Sequence, residues 1–107
     1  MTESEFNDRI DALMERIEDA VDGCDADIDF ETSAGILTLS FPDQSRIIIN
    51  RQTPLRQLWV ATRSGGFHYD FDAVREAWVN DADQEELFAA LGRFCTEQAG
   101  ETISLQG

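Results

Sequence analysis

The chain reads as an α+β fold, a two-layer sandwich with N- and C-terminal helices packed on one face of a five- to six-stranded antiparallel sheet. Three observations predict it. Apolar residues recur at helical spacing near both ends, stretches between them alternate apolar and polar residues, and the turns joining those stretches are short. At 107 residues the chain is one domain, 1–107, too short for two ordinary cores.

Residues 4–22 form the first helix: Phe6, Ile10, Leu13, Met14, Ile17 and Val21 make one apolar stripe, and Asp22-Gly23 supplies a stop. At 100° per residue Asp11, Glu15, Glu18 and Asp22 share a flank, with Asp8 and Asp19 beside them. Like charges four apart cost a helix a few tenths of a kcal/mol each, so this flank works against local stability. The plain reading of such a run is solvation. In residues 25–31 the period changes to two, with acids alternating with Ala26, Ile28 and Phe30, which predicts a strand with one buried face. A calcium-loop reading from Asp25 fails, because its sixth position is Phe30 rather than glycine and its twelfth is Ile36 rather than glutamate.

Turn signals then separate strands over 36–41, 46–51, 57–62 and 67–72, with 77–79 as a short last one. Connections this short make an antiparallel meander. Asp83 and Glu86, spaced like a capping box, start a second helix near 84–98. Its apolar face is Leu87, Phe88, Leu91, Phe94 and Cys95, Gly100 ends it, and residues 102–105 fold back as an apolar tail.

Alternation turns Ile28, Phe30, Leu37, Leu39, Phe41, Ile47, Ile49, Leu58, Val60, Phe67, Tyr69 and Phe71 toward the helices. Thr38, Ser40, Ile48, Asn50, Gln57, Trp59, Ala61, His68 and Asp70 take the opposite face. A tryptophan on an uncovered sheet face beside amides is a contact anchor for a partner protein. The alternative is a Trp59 that merely caps the sheet against a long side chain such as Arg51.

Charge excludes several functions. Eight arginines, no lysine and 22 acids give a net of −14, which repels phosphate backbones and anionic lipid. Residues 1–31 alone carry 12 acids and two arginines, whereas 44–75 hold five arginines and two acids. Such an asymmetry steers partners. No apolar run approaches a membrane helix, the start has no signal-peptide pattern, and two cysteines make no disulfide framework, so a cytoplasmic protein is expected. Cys95 reads as core and Cys24 as incidental. No nucleophile elbow, phosphate loop or Cys/His ligand spacing points to an enzyme or a zinc site, and His68 reads as a surface residue. The acids are oxygen donors for hard or borderline cations, held in an open, weak and poorly selective arrangement.

At this point the chain resembles the frataxin family, in its bacterial CyaY form. The likeness lies in the block Ile47-Ile48-Ile49-Asn50-Arg51-Gln52-Thr53-Pro54-Leu55-Arg56-Gln57-Leu58-Trp59-Val60-Ala61-Thr62, followed by Gly65-Gly66-Phe67-His68-Tyr69-Asp70. Ser4-Glu5-Phe6 and Gln98-Ala99-Gly100-Glu101-Thr102 extend it to both ends. The resemblance implies weak binding of iron, Fe²⁺ or Fe³⁺, and a role in iron–sulfur cluster assembly. It implies docking on a cysteine desulfurase and the iron–sulfur scaffold protein, by a monomer or by iron-driven oligomers. The implied metal residues are Glu15, Glu18, Asp19, Asp22, Asp25, Asp27 and Asp29, and the implied partner-binding residues are Asn50, Gln52, Gln57 and Trp59. Three readings compete: a non-enzymatic iron-binding regulator, a ferroxidase-like iron oxidation and storage protein, and an acidic interaction module without an iron role.

Overall fold

The computed structural model describes residues 1–105. Helix α1 (Glu3–Gly23) is followed by strands β1 (Asp29–Ser33), β2 (Ile36–Ser40), β3 (Arg46–Gln52), β4 (Gln57–Thr62), β5 (Gly65–Asp72) and β6 (Ala77–Asn80), then helix α2 (Leu87–Ala99). The six strands form one antiparallel sheet in the order β1-β2-β3-β4-β5-β6, so every strand pairs only with its neighbours in sequence. A single 3₁₀ turn, Thr53–Leu55, joins β3 to β4.

Both helices cover one face of this sheet. The Thr2 hydroxyl accepts from the Glu5 N–H while the Glu5 carboxylate accepts from the Thr2 N–H, a reciprocal cap that starts α1. These bonds hold the Glu5 carboxyl below the usual glutamate range. The predicted stripe from Phe6 to Val21 is buried and packs on Leu37, Leu39, Ile47, Ile49, Leu58, Val60 and Tyr69. Strand parity therefore placed these residues on the correct face. Ile103 and Leu105 fold back into the core, and the tail lies so close to α2 that a Cβ at Gly92 would stand 3.4 Å from the Ile103 carbonyl oxygen. Gln98, buried at the end of α2, ties two turns together: its amide donates to the Ser45 hydroxyl and the Arg46 carbonyl and accepts from the Arg63 N–H.

The structure departs from the sequence reading at four places. The first strand begins at Asp29, not at Asp25, because its partner β2 ends at Ser40, paired with Asp29, and Pro42 follows. Among the described residues no strand pairs with residues 25–28. Phe30 faces the helices, opposite Leu39, yet stays 37% exposed on this edge strand. The N-cap of α2 is Glu86, whose carboxylate accepts from the Phe88 and Ala89 N–H groups, and Asp83 caps only the Glu85 N–H. The shift arises because Gln84 takes a left-handed conformation and Glu86 bridges back to Val79. Finally, Arg51 lies on the helix face, where it donates to Asn7 and Asp11 at 3.1 and 2.6 Å, so it cannot cap Trp59.

The β1–β2 turn gives a stability prediction. Ser33 pairs with Ile36, leaving Ala34 (φ 53°) and Gly35 (φ 79°) as a two-residue loop with both residues left-handed. An alanine side chain is strained there, so Ala34→Asn should raise the unfolding free energy by about 0.5–1 kcal/mol in urea titration.

Candidate functional site

Two surfaces take shape, and helix α1 forms part of the first. Along the edge formed by α1 and β1, Glu15, Asp19 and Asp22 are exposed on the helix, Asp25 and Asp27 are exposed in the connecting loop, and Asp29 is the exposed first residue of β1. Glu18 is half-buried, because its carboxylate accepts from the Thr32 hydroxyl of β1 at 2.8 Å. That bond fastens the helix to the edge strand. Asp11, on the same flank, is held by Arg51 at 2.6 Å. The register adds Glu31, opposite Thr38, to the side of β1 that carries Asp29. Alternation through residues 25–31 already contained that placement. Among the described residues no group of three or more His, Cys, Asp or Glu side chains is arranged to hold a metal ion. The seven predicted acids thus share one edge without closing into a cage.

The second surface is the open face of β3 and β4. Asn50 stands opposite Trp59 and Gln52 opposite Gln57, so the structure brings all four predicted partner-contact residues together. Their side chains are half-buried. The Trp59 indole N–H donates to the Gln57 amide oxygen at 3.0 Å, and the Gln57 amide donates to Asp70 at 3.1 Å. His68, opposite Trp59 on β5, stacks on the indole with ring centroids 4.5 Å apart and planes at 20°. Its Nδ1 lies 3.6 Å from the Asp81 carboxylate. Reading His68 as an isolated surface residue missed this stack. The signal was the two-residue turn Arg63-Ser64, which fixes Thr62 opposite Gly65 and hence Trp59 opposite His68. Ile48, 41% exposed, and Ala61 complete a shallow hollow of ≈ 180 Å³ beside the tryptophan. This aromatic platform, with its polar edge already hydrogen-bonded, is preset in the fold and partly apolar.

Neither cysteine belongs to these surfaces. Cys95 is fully buried, and burial pushes its thiol up to about 12. Cys24, half-buried, donates to the Val21 carbonyl at the end of α1.

A model of the frataxin-like domain matches residues 1–101. The chain belongs to the frataxin family. Among its relatives in this family, the iron-sulfur cluster assembly protein CyaY of Pseudomonas aeruginosa is 48% identical over 107 residues, covering 100% of this chain and 99% of that protein. The protein of the same name from Azotobacter vinelandii is 45% identical over 103 residues, covering 96% of this chain and 94% of that one. The frataxin of Psychromonas ingrahamii superposes with a TM-score of 0.91 over the whole of both chains at 34% identity. A trimeric frataxin from Saccharomyces cerevisiae, complexed with ferrous iron, gives a TM-score of 0.68 at 27% identity over 91% of this chain and 87% of that one. The frataxin fold thus carries here an acidic edge and a tryptophan-bearing sheet face. No helix among the described residues is long and apolar enough to cross a membrane.

Proposed function

We propose that this frataxin is an iron-binding regulator of iron–sulfur cluster assembly that docks on the cysteine desulfurase and its scaffold protein and modulates cluster formation. The observation that carries this reading is full-length relatedness to iron-sulfur cluster assembly proteins CyaY, at 48% identity for the Pseudomonas aeruginosa protein. Exposed carboxylates at Glu15, Asp19, Asp22, Asp25, Asp27 and Asp29, with Glu18 beside them, supply the oxygen donors that suit Fe²⁺ or Fe³⁺. Their open spread suits weak, exchangeable binding by a sensor or donor rather than storage. The same edge attracts a basic surface on the desulfurase, while Asn50, Gln52, Gln57 and Trp59 meet a flatter, less charged partner surface. Iron and partner that share carboxylates change each other's affinity by the same factor. Two thiols outside any disulfide suit a reducing cytoplasm, where the protein works as a monomer or in iron-driven oligomers.

The test is sulfide production by the organism's own desulfurase and scaffold as the protein is added, with and without Fe²⁺. A dose-dependent change is expected. E18Q/D19N/D22N should weaken desulfurase binding by about tenfold or more, and raising salt should mimic the variant. No change at any ratio would overturn the reading. The trimeric state of the yeast frataxin favours one second reading, storage of iron in oligomers with Fe²⁺ oxidation. Stoichiometric Fe²⁺ oxidation well above that of an acidic control protein would select it.

A further inference from the structure

The two edges of the sheet are finished differently. On β6 the edge is covered: Val79 bridges to Glu86, and the Asn80 N–H donates to the Glu85 carbonyl. At the other end of the strand order, β1 has a neighbour on one side only, and all five of its residues are exposed.

The register decides which groups that edge offers. Ser33 and Ile36 close a two-residue loop, so they form a pair that exchanges both backbone bonds. Such pairs alternate along an antiparallel ladder, and the next two are Glu31 with Thr38 and Asp29 with Ser40. The N–H and C=O groups of Phe30 and Thr32 therefore point away from β2, and among the described residues no backbone group bonds to them. The Glu18 carboxylate takes the Thr32 hydroxyl and leaves the Thr32 backbone free. Unpaired strand backbone of this kind is a template for another strand.

The side chains beside it choose the occupant. Asp29 and Glu31 flank Phe30 and point to the open face, and neither side chain has a hydrogen bond or ion pair among the described residues. Arg46, opposite Ser40, stands two strands from Asp29, which is about 10 Å and beyond ion-pair reach. Arg51 is committed to Asn7 and Asp11. Phe30, 37% exposed, leaves part of its ring open on the helix side.

We propose that a basic partner segment adds to β1 as a further strand, bonded to the backbone of Phe30 and Thr32. The proposal rests on the docking of a basic desulfurase surface at this edge. Cross-strand neighbours share a face, so an antiparallel segment places arginine or lysine opposite Asp29 and Glu31 and an apolar residue opposite Phe30. A second copy of this chain fits worse. Using both residues, it would set Phe30 opposite Thr32 and Glu31 against Glu31, where like charges repel.

The probe is the peptide acetyl-Ser-Thr-Arg-Val-Arg-Ser-amide, titrated into the ¹⁵N-labelled full chain while amide hydrogen exchange is followed. Saturating peptide should slow exchange at the Phe30 and Thr32 amides about tenfold or more, with Glu31, already bonded to β2, changing less. A segment held by its side chains alone would leave those two amides at their free rates, which would overturn the proposal. Thr32→Pro removes the outward N–H without costing a bond to β2. It should bind about tenfold more weakly than Thr32→Val, which loses the same hydroxyl but keeps the N–H. Equal affinity of the two folded variants would count against the added strand just as decisively. If melting curves show Thr32→Pro unfolded, exchange at Phe30 and Thr32 in the parent carries the test. A dimer in sedimentation that Thr32→Pro abolishes and Thr32→Val keeps would also overturn the proposal, since the added strand would be a second copy. In the sulfide assay, a full response from folded Thr32→Pro would discard strand addition and leave the regulator reading standing. No response from the parent would discard that reading instead.

Discussion

Raising the pH to 12 should lower the stability of the fold by about 6 kcal/mol, most of what a domain this size commonly has. Two buried acids cause it. Burial pushes the Cys95 thiol from 9.0 up to about 12, and it pushes the Tyr69 hydroxyl from 10.0 up to about 12. At Tyr69 burial is the largest cause, and the Asn80 side chain beside the hydroxyl offsets only part of it. Both groups release protons earlier in the unfolded chain than in the folded one. Stability is therefore fully present below pH 9 and declines as pH rises from there toward 12. Urea titrations at successive pH values should show the slope starting near pH 9, and Cys95→Ala should delay its onset to near pH 10. An unchanged midpoint between pH 8 and pH 11 would contradict the assignment.

Replacing Ile103 and Leu105 together by alanine should destabilise the protein by about 3–5 kcal/mol. Both side chains are more than nine-tenths buried, yet they come from a segment without regular structure. Besides this apolar contact, the Ile103 N–H donates to the Thr96 hydroxyl, and that hydroxyl approaches the Ile103 carbonyl. Gly92→Leu reaches the same end from the other side, since any side chain there meets the Ile103 backbone. Thermal melting would show both effects. Equal stability of the double alanine variant and the parent would mean that the tail contributes nothing.

The sandwich itself was legible because each strand in its interior is buried on one face only. Leu37, Ile49, Val60 and Tyr69 alternate with Thr38, Asn50, Trp59 and His68, and the two periods, 2.0 and 3.6, do not compete anywhere in these segments. At the edge the pattern misled. Residues 25–28 alternate as well as any strand, but pairing requires a neighbour, and the length of β2 is set by Pro42 rather than by anything near Asp25. The cap of α2 failed for a similar reason. Asp83 and Glu86 have capping-box spacing, but the bridge from Glu86 to Val79 keeps residues 80–86 turned back on β6.

The candidate site divides in the same way. Asn50, Gln52, Gln57 and Trp59 share a face by parity alone, whereas the stack of His68 on Trp59 required the register of β4 and β5. The acidic edge was visible as composition. What composition could not give was the bond between Glu18 and Thr32, which depends on where α1 lies against β1.

The nearest-neighbour order of the sheet has a consequence for how the chain comes off the ribosome. Each hairpin is able to zip as soon as its second strand emerges, with little loop entropy to overcome. Sealing the core is another matter. α1 is synthesised first but has nothing to rest on until the central strands exist, and the face bearing Leu37, Ile47, Leu58 and Tyr69 stays only half covered until α2 and Ile103 arrive. For most of its synthesis the nascent chain therefore shows a growing, sticky apolar sheet to its surroundings. Chaperone demand should peak late, when β6 is out and α2 is still in the exit tunnel.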